Sequence, residues 1–336
     1  MLIALRRIRV VALLLSVLAA HSGCQRNRAT MERDTPSTQT LQNSGIRFKG
    51  SPITDVDASE SGISDDDLQP LMGLHENVTS LSLSCTGVGD ASLQKYVARM
   101  QHLETLNLSR TNVTDDGLRS LDALPNLMTL DVHHTGVGND GCRQIGRLTK
   151  LKSLDLSSTS VTDDGLRQLG TLMNLKHLNL AYNRVTDSGL EVLQSMTGMK
   201  SLNLFKTGVS SKGMILIAPL RHLEELYLAE TQVGDEGIAS IRGLKELRVL
   251  LLPKSATDRG LRNLSDLRSL EVLRLSSAGI SDAGLKVVEN MPSLRELAAP
   301  NTTINGEGLA YLTVCLKLRV RNLYGTRVSK IGRAHV

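Results

Sequence analysis

One unit of about 24 residues recurs through most of the chain and decides what kind of fold the chain can adopt. The clearest copy runs from Leu103 to Asn126, and further copies begin directly at Leu127, Leu151 and Leu175. A unit this short cannot bury its leucines alone, whereas stacked copies share one continuous core. The sequence therefore predicts a single repeat array, although a length of 336 residues would otherwise suggest two domains.

Each copy divides into a strand half and a helix half. Leu106 and Leu108 are two residues apart, which places both side chains on one face of a strand. Thr114 and Asp115 then offer oxygen atoms that can cap the start of a helix. Apolar residues at helical spacing follow from Leu118, so we expect a short helix that packs one apolar stripe against the strand.

The strand motif L-x-x-L-x-L and the helix motif T-D-x-G-L-x-x-L-x-x-L are similar to those of the leucine-rich-repeat family. The T-D-x-G-L form most resembles the repeats that accompany F-boxes and those of bacterial lipoproteins. The resemblance implies an α/β fold, a right-handed solenoid or horseshoe with parallel strands on its concave face and short helices on its convex face. It also implies a non-enzymatic scaffold that binds a protein or peptide and needs no cofactor. The array is predicted to span residues 46–329, with a degenerate first repeat near Ile53.

A column of small polar residues follows the strands. We expect each hydroxyl to satisfy backbone groups of the neighbouring coil. The column consists mainly of threonines, namely Thr86, Thr111, Thr135, Thr159, Thr207, Thr231, Thr302 and Thr326, with Asn183 as one interruption.

The first 45 residues precede the repeats. Residues 1–23 combine a basic start with an apolar run too short to span a bilayer, which is typical of an export signal. The sequence around Cys24 resembles a bacterial lipoprotein cleavage site, which would make Cys24 a lipidated N-terminus, while Ala20-x-Ser22 also suits ordinary cleavage. Residues 24–45 are polar and are predicted to form a flexible tether. We therefore expect export to the bacterial cell envelope, with a lipid anchor to the membrane.

Residues 330–336 depart from the repeat and resemble the translation of a common sequencing-adapter oligonucleotide. We interpret them as an artefact, and expect the natural chain to continue beyond residue 329. One alternative function is then an enzyme whose catalytic domain lies in the missing part. The other is an F-box-like substrate-recognition subunit of a ubiquitin ligase, which needs an apolar helical segment that residues 24–45 do not contain.

The charge and the cysteine positions argue against a nucleic-acid partner and against a disulfide framework. The formal net charge of +5 is mild, and no basic run marks a nucleic-acid surface. Cys142 and Cys315 replace core leucines and Cys85 ends a strand, so these cysteines lie too far apart for a disulfide framework. We expect all three to be buried or half-buried apolar residues.

The few aromatic residues concentrate at positions predicted to point outward from the strands. Tyr182, Phe205 and Tyr227 belong to consecutive repeats. Contiguous exposed aromatic and aliphatic groups predict a protein-contact surface, whereas singly exposed apolar residues are normal and would need no function. The predicted surface, called the contact patch below, comprises Tyr182, Phe205, Tyr227, Val249, Leu251, Val272 and Arg274.

Two acidic residues occupy neighbouring repeats at the central outward position. Asp131 and Asp155 should lie about 5 Å apart, the spacing of paired strands, and His133 should stand beside them. The set suggests either a cation site, or a carboxylate pair for acid–base chemistry, or simply the polar surface of a solvated strand. We favour the last interpretation and predict no metal, because a flat sheet supplies neither a closed pocket nor supporting hydrogen bonds around a ligand.

Overall fold

The computed structural model describes Gln42, residues 45–275 and residues 279–328. The predicted export signal, Cys24, most of the tether and residues 330–336 lie outside the described residues. Within them, thirteen short strands form one sheet whose spatial order follows the chain. The strands are β1 (Arg47–Lys49), β2 (Asp55–Asp57), β3 (Ser80–Ser82), β4 (Thr105–Asn107), β5 (Thr129–Asp131), β6 (Ser153–Asp155), β7 (His177–Asn179), β8 (Ser201–Asn203), β9 (Glu225–Tyr227), β10 (Val249–Leu251), β11 (Val272–Arg274), β12 (Glu296–Ala298) and β13 (Val320–Asn322).

Short helices connect successive strands, some of them α-helical and others 3-10. The α-helices are α1 (Asp90–Lys95), α2 (Asp115–Leu118), α3 (Asn139–Ile145), α4 (Asp163–Arg167), α5 (Ser211–Ile217), α6 (Asp235–Ser240), α7 (Asp258–Arg262) and α8 (Asp282–Leu285). The 3-10 helices are Asp65–Gly73, Val97–Arg99, Arg119–Ala123, Asp187–Ser195, Ile241–Gly243, Lys286–Asn290 and Gly308–Val314.

The leucines of each repeat stack into one core, as the periodicity predicts. Leu106 of β4 lies in register between Leu81 of β3 and Leu130 of β5. Leu106 and the helical Leu118 are both fully buried, so each coil covers the apolar surface of its neighbours. The predicted α/β leucine-rich-repeat solenoid is confirmed.

The N-terminal end of the sheet is covered by an antiparallel strand. β1 pairs with β2, and Phe48 of β1 lies opposite Val56 of β2. Phe48 packs against the core. The exposed Arg47 and Lys49 flank it and present charge at the edge, which discourages pairing with other chains.

The threonine column has a different role from the predicted one. Thr111 donates its hydroxyl hydrogen to the carbonyl oxygen of Leu108, three residues earlier in the same coil (2.6 Å), and the other threonines of the column do the same. Asn183 also joins two coils, because its side-chain nitrogen donates to the carbonyl of Leu156 (2.7 Å) and its side-chain oxygen accepts from the Thr159 hydroxyl (3.1 Å). The expected bonds to the neighbouring coil are therefore wrong for the threonines and right for Asn183.

Side-chain hydrogen bonds between coils are made instead by the first residue of ten of the helices. Asp163 begins α4, and its carboxylate accepts hydrogen bonds from the backbone N–H of Thr186 (2.7 Å) and from the Thr186 hydroxyl (2.6 Å) in the next coil. Ser188 adds a third bond (2.6 Å). Equivalent side chains bind the next coil at nine other boundaries, from Asp65, Asp90, Asp115, Asn139, Asp187, Ser211, Asp235, Asp258 and Asp282.

The glycine of the T-D-x-G motif makes room for this carboxylate. A Cβ atom placed on Gly189 would lie 2.5 Å from Asp163 Oδ1, and one on Gly165 would lie 2.5 Å from Asn139 Oδ1. Ser92 occupies the glycine position of its repeat, and its hydroxyl donates to Asp65 Oδ1 (2.5 Å). The position therefore accepts either no side chain or one that hydrogen-bonds the aspartate.

Replacement of Gly189 by Ala is expected to destabilise the fold by about 1–3 kcal/mol, because the added methyl group displaces a carboxylate that holds two coils together. Guanidinium denaturation measures the loss. Gly73→Ala is the matched control, since a Cβ atom there meets nothing within 4 Å. In an Asp163→Ala background the cost of Gly189→Ala should shrink, and an unchanged cost would show that the carboxylate is not the cause.

The same carboxylate predicts a pH dependence of stability. Partial burial opposes the shift, but hydrogen bonds from Ser188 and Thr186 lower the pKa of Asp163 below 3.8. A group with a lowered folded-state pKa contributes stability above its unfolded pKa and loses that contribution as the pH falls. The stability difference between wild type and Asp163→Asn should thus be largest at neutral pH and shrink below about pH 4. Urea denaturation across this range tests it; a difference that is constant with pH contradicts it.

Candidate functional site

The central outward column is built from side chains that fix the turns after the strands. Asn107 Oδ1 accepts the backbone N–H of Ser109 (2.9 Å), and Asn179 Oδ1 accepts that of Ala181 (3.1 Å). Asp131 and Asp155 make the same bond to His133 and Ser157 (3.0 and 2.8 Å). Asparagine or aspartate at this position therefore has a structural purpose, because one oxygen atom satisfies a backbone donor in the turn.

Two residues of the contact patch lie in turns and not in strands. Tyr182 follows β7 with a left-handed backbone (φ 60°), and Phe205 follows β8. Their rings nevertheless meet, with centroids 5.2 Å apart and planes inclined by 56°. The Nζ atom of Lys206 lies over the Tyr182 ring, 4.9 Å from its centroid. The patch therefore has an aromatic pair with an adjoining cation.

The predicted exposure of the contact patch is only partly correct. Tyr182 is 43% exposed, but Tyr227 and Val249 are 6% and 5% exposed, although both lie on outward strand positions. Tyr227 lies in register between Asn203 of β8 and Leu251 of β10, and its hydroxyl donates to Glu225 (3.1 Å). Phe205, Leu251, Val272 and Arg274 are half-buried. Among the aromatic residues of the patch, Tyr182 is therefore exposed and Phe205 half-buried, whereas Tyr227 is buried.

Charged residues beside the patch neutralise one another. Lys200 pairs with Glu224 (2.6 Å), and Arg248 pairs with Glu224 and Glu271 (3.6 and 2.9 Å). Glu271 also contacts Arg295 (3.3 Å). Arg274, the charged member of the patch, pairs with Glu296 (2.7 Å). The rim of the patch is consequently a row of alternating charges with little net attraction for a charged ligand.

The three polar residues of the other candidate site do come together. His133 Nδ1 lies 2.9 Å from Asp131 Oδ1, and the ligand atoms of Asp131, His133 and Asp155 all lie within 4.8 Å of one another. Asp155 is further held by the Ser157 hydroxyl (2.6 Å) and by Asn179 Nδ2 (2.8 Å). Asp155 therefore has the supporting hydrogen bonds that a flat sheet was expected to lack.

The electrostatics of this set reflect two crowded carboxylates. Burial and the adjacent charge of Asp131 raise the pKa of Asp155. Burial alone would lower the pKa of His133, but the hydrogen bond and charge of Asp131 outweigh it and raise that pKa. Burial lowers the pKa of His177, which lies on the next strand. The set therefore favours a positive charge near Asp131 and Asp155.

The cysteines contribute nothing to either site. Cys142 and Cys315 are buried, as predicted, whereas Cys85 is exposed, contrary to the expectation. Cys85 takes the left-handed turn position (φ 55°) equivalent to that of Tyr182, which turns its side chain outward.

In the part of the chain that the structure describes, every helix is too short or too polar to cross a membrane.

Comparisons with known proteins agree with the architecture. A family model described as a leucine-rich repeat region matches residues 65–233, and one described as a leucine-rich repeat matches residues 266–288. A comparison with curated protein sequences finds no match.

Solved structures of two Listeria monocytogenes proteins resemble this chain. One internalin (inlF) matches with a TM-score of 0.61 at 19% identity, covering 84% of this chain and 83% of that chain. Internalin C2 (inlC2) matches with a TM-score of 0.50 at 25% identity, covering 61% of this chain and 83% of that chain. The likeness to the first structure, at so low an identity, concerns the fold alone.

Proposed function

Because the chain belongs to the leucine-rich-repeat family, we propose that it is a non-enzymatic scaffold that binds a protein or peptide through the contact patch. One observation carries the proposal: the aromatic pair formed by the exposed Tyr182 and the half-buried Phe205 lies outside the core, which leucines fill. Rigid aromatic side chains lose little conformational entropy on binding and dominate the energetics of many interfaces.

The surroundings of the aromatic pair support binding by apolar contact. Tyr227 and Val249 are buried on strands β9 and β10, and the half-buried Leu251 and Val272 extend the apolar surface along the sheet. The charges at the rim are already paired within the chain. A ligand would thus gain mainly from burying apolar surface, and affinity should depend little on salt.

The test begins with peptides selected from a random display library on the full-length protein. Tyr182→Ala and Phe205→Ala should each weaken binding of the selected peptides about tenfold or more, as expected for aromatic anchors. Isothermal titration calorimetry measures Kd, and Kd should change less than about twofold between 0.05 and 0.5 M NaCl.

The matched control is Tyr324→Ala. Tyr324 is 78% exposed and occupies the position in its coil that Phe205 occupies in its own, but it lies outside the patch. This variant should bind as the wild type does, and circular dichroism should show all three variants folded. Equal affinity of wild type, Tyr182→Ala and Phe205→Ala would refute the proposed surface.

We propose further that the scaffold is exported and held at the bacterial membrane by a lipid on Cys24. The basic start and apolar run of residues 1–23, followed by Ser22-Gly23-Cys24, support this proposal. A polar segment of about 20 residues would then separate the lipid from the repeats and let the sheet face reach a ligand.

Metabolic labelling tests the anchor. Wild-type protein expressed in bacteria should incorporate radiolabelled palmitate and partition into the detergent phase of Triton X-114. Cys24→Ala should lose both properties, while Cys85→Ser, which replaces an exposed cysteine within the repeats, should retain them. Undiminished label on Cys24→Ala excludes the anchor without affecting the proposed binding function.

A further inference from the structure

Asp131, His133 and Asp155 combine one imidazole and two carboxylates on the open face of adjacent strands β5 and β6. We propose that these residues bind a divalent transition-metal cation, with Zn²⁺ as the representative ion. Imidazole and carboxylate together suit zinc, copper and nickel, whereas calcium and magnesium prefer sites made of oxygen alone.

Comparison with neighbouring coils separates what the fold requires here from what it does not. Asn107, Asn179 and Asn203 occupy the same column, and each fixes its turn through one amide oxygen. An asparagine at position 131 or 155 would therefore keep the hydrogen bond that fixes the turn. Aspartates there add two negative charges in register on paired strands, which is unfavourable without a nearby cation.

The spacing of the donors suits a shared ion. Asp131 Oδ1 and His133 Nδ1 lie 2.9 Å apart, which is roughly the separation of two adjacent ligand atoms that each lie about 2.0–2.2 Å from Zn²⁺. A metal ion would take the place of the hydrogen that these two atoms share. The ligand atoms of all three residues lie within 4.8 Å of one another, so small side-chain rotations of Asp131 and His133 would bring the set to metal-ligand distances.

The third ligand is held in place by its own partners. Asp155 Oδ1 accepts hydrogen bonds from the backbone and hydroxyl of Ser157, and Oδ2 accepts one from Asn179. Such bonds orient carboxylate ligands in metal sites and reduce the entropy lost on binding. Three protein ligands on an open surface leave the remaining coordination positions to water or to a donor from a bound partner.

Calorimetric titration of the full-length protein with ZnCl₂, after treatment with a chelator, tests the proposal. All proteins carry Cys85→Ser, because an exposed thiol binds zinc independently. One site is expected, and Asp155→Asn and His133→Gln should each weaken its Kd at least tenfold. Asp155→Asn keeps the turn that Asn179 makes in the next coil, so loss of zinc binding in a variant with unchanged circular dichroism reports on the site.

Asp116→Asn is the control, since Asp116 is an exposed aspartate on the helix side that pairs with Arg119. This variant should bind zinc as the parent protein does, and CaCl₂ in place of ZnCl₂ should give no saturable heat. Absence of zinc binding by the parent protein, or equal binding by the parent, Asp155→Asn and His133→Gln, overturns the proposal.

Discussion

The hydrogen bond that the first helical carboxylate of one coil accepts from a backbone N–H of the next coil is the interaction on which the array depends. Hydrophobic stacking supplies most of the driving force, yet leucine contacts tolerate small slips between coils. The hydrogen bonds that Asp163 accepts from Thr186 do not tolerate such slips, because each joins a defined carboxylate oxygen to a defined N–H or hydroxyl group. They also explain the glycine of the motif, whose missing side chain leaves space for the carboxylate.

This arrangement leaves the sheet face free to vary. The core leucines, the aspartates between coils and the threonines within turns all point away from that face or into the coil ends. Only the central column is constrained, because Asn or Asp there fixes the following turn. The neighbouring outward positions can therefore carry the aromatic pair in one region and the Asp131–His133–Asp155 set in another without a change of scaffold.

Much of the fold could be predicted because leucine periodicity reports it directly. The strand and helix of each repeat follow from spacing alone. The bond from Asp115 to Gly138 could not be predicted in the same way. The local sequence predicts that Thr114 and Asp115 cap the helix. The Thr114 hydroxyl does accept the backbone N–H of Asp116, but the Asp115 side chain binds the next coil.

The candidate site was harder to predict because exposure depends on neighbours that lie a full repeat away. Tyr227 is an outward residue by pattern, yet the flanking strands place Asn203 and Leu251 directly beside it. Tyr182 was assigned to a strand, although each strand contains three residues and the left-handed turn begins soon after. The sequence pattern thus predicts on which side of the sheet a side chain lies, whereas its exposed area depends on how the neighbouring coils pack against it.

The carboxylate bond between coils also bears on how such an array can arise and be rebuilt. Its acceptor is the first residue of a helix at ten boundaries and its principal donor is a backbone N–H group, so most coils present a compatible boundary to one another. A gene for this chain could lose, gain or exchange whole repeats by recombination without creating mismatched junctions. The same property would let the coils that bear Tyr182 and Phe205 be transplanted, as a block, into another array of this type.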